Sequence, residues 1–177
     1  MALKKVKIFV VVLLCLSCFC CRNNQQETAQ QQPQVNVEKE KIAVNQEIVR
    51  RDNADIELIA KRYNWDLVQS QSGLCYQIIA SGKGEKAQPK DIVEIKGRIS
   101  LPDGRNIYNS AADGIKEFRV DRSEDAVGLH ELVKLMRAGD KARAIIPSYQ
   151  AYGISGDGEQ IPPIALLICE ITLIKIN

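Results

Sequence analysis

Two alternating runs of apolar residues near the end of the chain predict two neighbouring β-strands. The first covers residues 142–146 and stops at Pro147, because proline has no N–H group to donate to a sheet. The second covers residues 166–176 and carries apolar side chains on both faces, as a buried strand does. The segment between them is rich in glycine, which permits positive φ angles, and contains the stiff sequence Ile161-Pro162-Pro163. The pattern therefore predicts a long shaped loop that can hold a pocket open.

Shorter apolar runs predict the other strands of the folded part. They lie at residues 67–71, 74–80, 92–101 and 106–110, and in a short piece that contains Phe118 and Val120. The sequence Pro102-Asp103-Gly104 predicts a hairpin between two of them, because proline and glycine supply the turn dihedrals. Most neighbouring strands are therefore expected to pair antiparallel.

Two helices are predicted from apolar residues at near-helical spacing. The first covers residues 45–63, and Trp65 just after it is interpreted as a packing anchor, so that 45–65 forms an N-terminal helical segment. The second covers residues 125–136, carries Leu129 on its apolar face and ends at Gly139. Together these elements predict an α+β fold, in which a twisted antiparallel β-sheet wraps around one short α-helix and an extra helix precedes it.

The N-terminus has the layout of an export signal. Three lysines precede an apolar run at residues 8–21, which is shorter than the ~20 residues of a membrane-spanning helix. Lipoprotein signals end in a cysteine that follows a small residue, and among the four cysteines of this run only Cys18, after Ser17, meets that condition. We predict a lipoprotein signal peptide over residues 1–17 and lipid attachment at Cys18. Cys20, Cys21 and an ordinary cleaved signal are the alternatives.

The predicted signal is followed by a Gln-rich segment, residues 18–44. It has few large apolar residues and is predicted to be an unstructured tether between the membrane and the domain at residues 66–177. The net charge of the whole chain is only +2, and three of its lysines lie in the signal. A nearly neutral chain with one tryptophan and no long basic run is not expected to bind nucleic acid.

Only Cys75 and Cys169 lie in the predicted domain, so the six cysteines do not form a disulfide framework. The crowded N-terminal thiols have no histidine nearby, and no metal site is predicted. Whether Cys75 and Cys169 pair is left open by the sequence. A small core residue is the preferred interpretation of Cys169, and a solvated side chain that of His130.

Four linked motifs in the second half of the chain resemble the FK506-binding-protein (FKBP) type peptidyl-prolyl isomerases. They are Gly128-Leu129-x-Glu131, Met136-x-x-Gly139-x-Lys141-Ala142, Ile146-Pro147-x-x-x-Ala151-Tyr152-Gly153 and Ile161-Pro162-Pro163-x-Ala165. The layout of signal, tether and domain, together with residues 101–104 and 113–115, also resembles the gliding-motility-associated isomerase lipoproteins of Bacteroidetes-type bacteria.

The resemblance implies an activity and a set of site residues. The activity is peptidyl-prolyl cis-trans isomerisation, without a cofactor, on proline-containing segments of exported proteins. Tyr152 and the backbone N–H of Ile161 are expected to donate hydrogen bonds to the ligand. The substrate pocket is expected to be lined by Ile95, Ile107, Phe118, Leu129, Tyr152, Ile161 and Cys169. Tyr108, or Asn109 if the alignment shifts by one residue, occupies the position of a family aspartate, and Tyr108 is the second predicted catalytic residue.

The same comparison shows where the chain departs from the family. Ile95 replaces a usual tyrosine, Cys169 replaces an aromatic residue in the last strand, and the acid at Tyr108 is absent. A smaller aromatic wall grips a ligand less firmly. Two hypotheses follow: a lipid-anchored isomerase that assists the folding of exported proteins, and a binding or scaffold lipoprotein that has kept the fold and lost most of the catalysis.

Overall fold

The computed structural model of this chain describes residues 31–177, with side chains from Val37 onward. The chain divides into two units between Asn45 and Gln46. The predicted signal peptide and the predicted lipid attachment at Cys18 lie outside the described residues, and so does the tether up to residue 30.

The first described helix, α1, is longer than the sequence predicts. It covers Gln31–Tyr63, whereas apolar spacing places its start near residue 45. The described part of the predicted tether is therefore helical, which corrects the expectation that it is unstructured. The segment is rich in glutamine, glutamate and lysine, which have high helix propensity, and its side chains at 37–47 are exposed. Local propensity thus extends this helix where no apolar face is buried.

Seven antiparallel strands form a single sheet. They are β1 (Val68–Gln69), β2 (Cys75–Ala80), β3 (Ile92–Ser100), β4 (Asn106–Asn109), β5 (Lys116–Arg119), β6 (Lys141–Ile146) and β7 (Leu167–Ile176). Their order is β1-β2-β6-β7-β3-β4, and β5 pairs with β3 beside this path. The predicted α+β fold is confirmed, including the hairpin between β3 and β4.

Two helices and one turn of 3₁₀ helix complete the second unit. They are α2 (Ser110–Asp113), α3 (Val127–Leu135) and the 3₁₀ turn (Ser148–Gln150). α3 is the predicted short helix, and it buries Leu129, Leu132 and Val133 in the main core. A Cβ atom at Gly128 would collide with the Ile146 side chain, so glycine at this position lets α3 lie close against β6. The short helix therefore packs directly on the central strands.

The sheet has an apolar core on each face. Ala144, Ile146 and Cys169 belong to the main core with α3, whereas Ile145 and Ile168, their neighbours along the same strands, belong to a second core. The second core also contains two residues of α1, Ile56 and Ile59, with Trp65 packed against it. The predicted packing role of Trp65 is confirmed, and the Arg143 guanidinium lies 5.3 Å from its ring centroid.

The two cysteines of the domain are free and lie in different cores. Cys169 pairs with Ala144 across β6 and β7 and belongs to the main core, whereas Cys75 pairs with Ile145 and belongs to the second one. Side chains on opposite faces of a sheet cannot meet. The open question of a disulfide between them is therefore answered, and Cys169 is the small core residue that the sequence predicts.

The burial of Cys169 predicts a pH dependence of stability. Loss of solvation raises the pKa of its thiol to about 12, so the unfolded chain releases a proton at a lower pH than the folded chain does. This contribution to stability is complete below the pKa of an exposed thiol and is lost as the pH rises towards about 12. We expect the free energy of unfolding to fall more steeply with pH in the parent than in Cys169→Ala, by up to about 1.4 kcal/mol per pH unit.

The measurement is urea unfolding of the two proteins at several values between about pH 9 and 11. Only the slopes are compared, because alanine also leaves a small cavity that lowers stability at every pH. Parallel slopes would contradict the assigned shift.

Candidate functional site

The structure brings the seven predicted pocket residues and Tyr108 into one apolar cluster. Six are buried, namely Ile95, Tyr108, Phe118, Leu129, Ile161 and Cys169, and two are partly buried against them, namely Ile107 and Tyr152. They come from β3, β4, β5, α3, β7 and the loop between β6 and β7. Residues far apart in the sequence thus form one continuous apolar surface.

Most of this cluster is closed to solvent. Ile95 and Cys169 are 0% exposed and Leu129 is 2% exposed, so these side chains support the site from behind. Ile107 and Tyr152 are only partly buried and can meet a ligand directly. A prolyl ring can therefore contact only part of the surface that the predicted pocket residues form.

Tyr152 is the one partly buried polar side chain among the predicted site residues. It follows the 3₁₀ turn that begins after Pro147, and its hydroxyl has no hydrogen-bond partner within residues 37–177. Burial raises the pKa of Tyr152, and the negative charges of Asp125 and Asp157 raise it further. The hydroxyl is consequently protonated at neutral pH and free to donate a hydrogen bond to a bound carbonyl.

The backbone N–H of Ile161 is not free, which corrects the expectation that it binds the ligand. It donates to Asp157 Oδ1 at 2.7 Å, and the N–H groups of Glu159 and Gln160 donate to the same oxygen at 2.9 Å. Burial raises the pKa of Asp157, but these three amide hydrogen bonds outweigh it and the net pKa is lowered. The carboxylate therefore shapes the loop from within.

The loop closes tightly at Gly156, which has φ +68°. A Cβ atom there would collide with the Ile161 carbonyl oxygen, and the Asp157 N–H donates to that oxygen at 3.1 Å. Glycine is thus required for the turn that places Asp157 opposite the Ile161 amide.

Tyr108 uses its hydroxyl within the fold. The hydroxyl lies 2.8 Å from the Gly114 carbonyl oxygen and 3.2 Å from that of Ile95, and it accepts the Lys116 N–H at 3.2 Å. All three of these contacts are to backbone groups of the β3–β5 region. The geometry therefore does not support a direct catalytic role for Tyr108 and makes it a positioning residue.

The alternative position, Asn109, is occupied in the same way. Its side-chain oxygen accepts the Ala111 N–H at 3.0 Å and caps α2. The side-chain oxygens of both candidates for the family's aspartate position thus bind backbone groups within the fold.

A carboxylate that sequence reasoning missed lies near Tyr152. Asp125 forms an ion pair with Lys116 at 2.8 Å, accepts the Ser123 hydroxyl at 2.7 Å, and has a side chain only 14% exposed. Lys116 pairs with Ile95 across β3 and β5, so this ion pair lies beside the predicted pocket. No local motif marks it, because its two residues come from different elements.

The start of α3 offers free backbone donors. Its N-cap, Ala126, provides no side-chain cap, and within residues 31–177 the N–H groups of Ala126, Val127 and Gly128 have no acceptor. The first turn of any helix has such groups. Here Ala126 belongs to the same apolar cluster as Tyr152, which makes these amides candidates for binding a second carbonyl.

His130 is buried, in contrast to the solvated side chain expected from the sequence. It is 4% exposed, accepts the Asp121 N–H on Nδ1 at 3.1 Å, and lies 3.3 Å from the Ser123 carbonyl oxygen through Nε2. Its ring meets Phe118 edge-on at 5.4 Å between centroids. His130 therefore holds the turn before α3, and the pattern predicted the wrong face because the 121–123 turn covers that side of the helix.

The described part of the chain contains no group of three or more histidine, cysteine, aspartate or glutamate side chains placed to hold a metal ion. What the geometry offers is an apolar surface, one free phenolic donor and free amides at a helix start. Such a site can bind and polarise an amide.

A model of FKBP-type peptidyl-prolyl cis-trans isomerases matches residues 83–174, more than half of the chain. The chain belongs to the FKBP-type isomerase family. It is 37% identical over 113 residues to the macrophage infectivity potentiator of Trypanosoma cruzi, covering 63% of this chain and 57% of that protein. It is 31% identical over 136 residues to the isomerase FkpA of Escherichia coli K12, covering 73% of this chain and 49% of that protein. The chain thus spans about half the length of these relatives.

Solved FKBP-type structures show the same fold. The crystal structure of E. coli FkpA superimposes with a TM-score of 0.60 at 26% identity, covering 98% of this chain and 82% of that one. A peptidyl-prolyl isomerase from Pseudomonas syringae superimposes with a TM-score of 0.56 at 32% identity, covering 63% of this chain and 80% of that one. The family expected from the motifs is confirmed.

The hydrogen bonds of Tyr108 predict that its hydroxyl stabilises the fold. Tyr108→Phe leaves the Lys116 N–H and the Gly114 carbonyl without this partner, and because neither group is fully buried the loss is that of an ordinary hydrogen bond, about 0.5–1.5 kcal/mol. We expect a loss of this size in the free energy of unfolding, measured in urea. Tyr76→Phe is the matched control, because the Tyr76 hydroxyl has no partner within residues 37–177. Equal stability of the two variants would refute the positioning role.

Proposed function

We propose that this chain is a peptidyl-prolyl cis-trans isomerase that acts on proline-containing segments of exported proteins and assists their folding. One observation carries the proposal: Tyr152 presents a free, half-buried hydroxyl at the edge of the apolar cluster of an FKBP-type fold. The reaction breaks no covalent bond, so the residues need only favour one conformation of the amide.

The physical task is to lower a rotational barrier. Rotation about an amide costs about 18–20 kcal/mol because it interrupts C–N resonance. A site accelerates rotation if it binds the twisted amide more tightly than the planar one. In the twisted state the carbonyl oxygen loses its conjugated nitrogen, and the apolar cluster keeps water away from it. We assign Tyr152 and the free amides at the start of α3 to holding the carbonyl groups on either side of the proline.

A binding function is the second candidate, and one observation favours it. The residues where the family has aromatic side chains or an acid, Ile95, Tyr108 and Cys169, are buried and make little surface available to a ligand. In this form the chain would be a catalytically weakened prolyl-peptide-binding or scaffold lipoprotein in a gliding or secretion machinery. Turnover is the property that separates the two candidates.

We also propose that the protein acts from a membrane surface outside the cytoplasm. The proposal rests on the signal-like residues 1–17, on Cys18 after Ser17, and on the polar segment that follows. Within residues 31–177, no helix is both long and apolar enough to cross a bilayer. A lipid on Cys18 would hold the domain at the membrane without a spanning segment.

Loss of the Tyr152 hydroxyl is expected to lower turnover. In a protease-coupled assay on Xaa-Pro peptides, the parent should accelerate isomerisation weakly and Tyr152→Phe should reduce kcat/KM by about threefold to tenfold, the value of one hydrogen bond of 0.5–1.5 kcal/mol. The ring is retained, so stability should barely change.

Tyr63→Phe is the matched control for this assay, because Tyr63 is exposed and stacks on Trp65 away from the predicted pocket. If the parent binds prolyl peptides but accelerates the isomerisation of none of them, the isomerase function is wrong and the binding function takes its place. Equal activity of Tyr152→Phe and the parent would contradict the assignment of Tyr152 to the site.

Anchoring is tested separately by Cys18→Ser. If Cys18 carries the lipid, this variant should no longer incorporate a labelled fatty acid and should be recovered in the soluble fraction. Cys20→Ser and Cys21→Ser are matched controls and should label as the parent does. Full labelling of Cys18→Ser would assign lipid attachment to a neighbouring cysteine. An unlabelled parent would show that the protein is not a lipoprotein.

A further inference from the structure

A buried carboxylate on α1 contacts the loop that carries Tyr152. Asp52 is 1% exposed, and its Oδ2 accepts both the backbone N–H of Ser148 at 2.8 Å and the Ser148 hydroxyl at 2.7 Å. The other oxygen, Oδ1, has no partner within the part of the chain that the structure describes. A half-satisfied buried carboxylate is unfavourable for stability alone, so its contacts with the loop invite a functional explanation.

Ser148 connects this carboxylate to both sides of Tyr152. Its carbonyl oxygen accepts the N–H of Gly153 at 2.8 Å and shares the N–H of Ala151, which lies 3.1 Å from it and 3.0 Å from the Pro147 carbonyl oxygen. These are the residues immediately before and after Tyr152. The backbone around the tyrosine is therefore fixed to a residue that Asp52 fixes in turn.

The neighbouring residue of α1 contacts the other end of the same loop. Arg51 donates to the Ile164 carbonyl oxygen at 3.3 Å, and the Ile164 N–H donates to the Gly153 carbonyl oxygen at 2.8 Å. Ile164 has φ +55°, which is strained for a β-branched residue and persists only where its surroundings hold it. Two successive residues of α1 thus hold both ends of the site loop.

We propose that α1 is a positioning element of the candidate site, with Asp52 as the residue that sets the orientation of Tyr152 through Ser148. Asp52 does not touch the ligand. It holds the Ser148 carbonyl oxygen where the N–H groups of Ala151 and Gly153 donate to it. The orientation of Tyr152, which lies between these two residues, is fixed in this way. The proposal rests on the isomerase function proposed above, because it assigns Asp52 a part in that activity.

The test uses Asp52→Ala in the full chain and two measurements. Loss of both hydrogen bonds to Ser148 should raise the hydrogen-exchange rates of the Ala151 and Gly153 amides, and should lower kcat/KM on an Xaa-Pro tetrapeptide by about tenfold. Asp52→Asn keeps an oxygen that can accept from Ser148, and it should restore both values to within about twofold of the parent. A purely structural role would not give this restoration together with a local exchange effect.

Asp55→Ala is the matched control. Asp55 lies on the same helix, and its carboxylate makes no hydrogen bond within residues 37–177. This variant should leave the exchange of Ala151 and Gly153 and the turnover unchanged. If Asp52→Ala does not fold, Ser148→Ala takes its place, because it removes only the hydroxyl bond and should lower kcat/KM by about threefold.

The outcomes separate this proposal from the proposed function. Unchanged exchange at Ala151 and Gly153 in a folded Asp52→Ala protein would overturn the positioning role, and so would faster exchange with parental turnover. If the parent itself does not accelerate isomerisation, the isomerase function fails. In that case the affinity for the same tetrapeptide replaces turnover, and an affinity that Asp52→Ala leaves unchanged would overturn the positioning role as well.

Discussion

The antiparallel pairing of β6 with β7 is the interaction on which the rest of the structure depends. The register from Lys141 opposite Thr172 to Ile146 opposite Leu167 places two strands at the centre of the sheet. Because side chains alternate across a strand, alternate residues of these two strands supply apolar surface to α3 on one face and to α1 on the other. A shift of one residue would exchange these faces and break both cores.

The pairing also fixes the two ends of the loop that carries Tyr152. A loop of this length is mobile unless its polar backbone groups form hydrogen bonds. Here these groups bond to other residues of the loop and to α1. At the far end, the Asp157 carboxylate accepts hydrogen bonds from three backbone N–H groups. Near the tyrosine, the Ser148 carbonyl oxygen accepts those of Ala151 and Gly153. The tyrosine hydroxyl is left free while the backbone around it is satisfied, which is the arrangement that a preorganised donor requires.

The substitutions that set this chain apart from the family pattern change the site in two physical ways. Isoleucine at 95 and cysteine at 169 reduce the aromatic surface, and both are fully buried in the cluster. At 108 a tyrosine replaces an acid, and its hydroxyl stabilises the β3–β5 region through backbone contacts. Negative charge near Tyr152 comes from a different element, through Asp125 and its ion pair with Lys116. The fold is retained while the polar groups of the site are redistributed.

The sequence by itself determined the class of fold, the order of the strands along the chain, the hairpin at Pro102-Asp103-Gly104, the family and eight residues of the apolar cluster that contains Tyr152. These follow from alternation, turn residues and short motifs, which are local properties of a chain. Only the tertiary structure decided that the Ile161 amide is occupied, that Tyr108 stabilises the fold and that His130 is buried. It alone related Asp52 to Ser148, residues 96 positions apart. A hydrogen-bond partner at that separation leaves no period in the sequence, because the fold and not the neighbouring residues brings the two groups together.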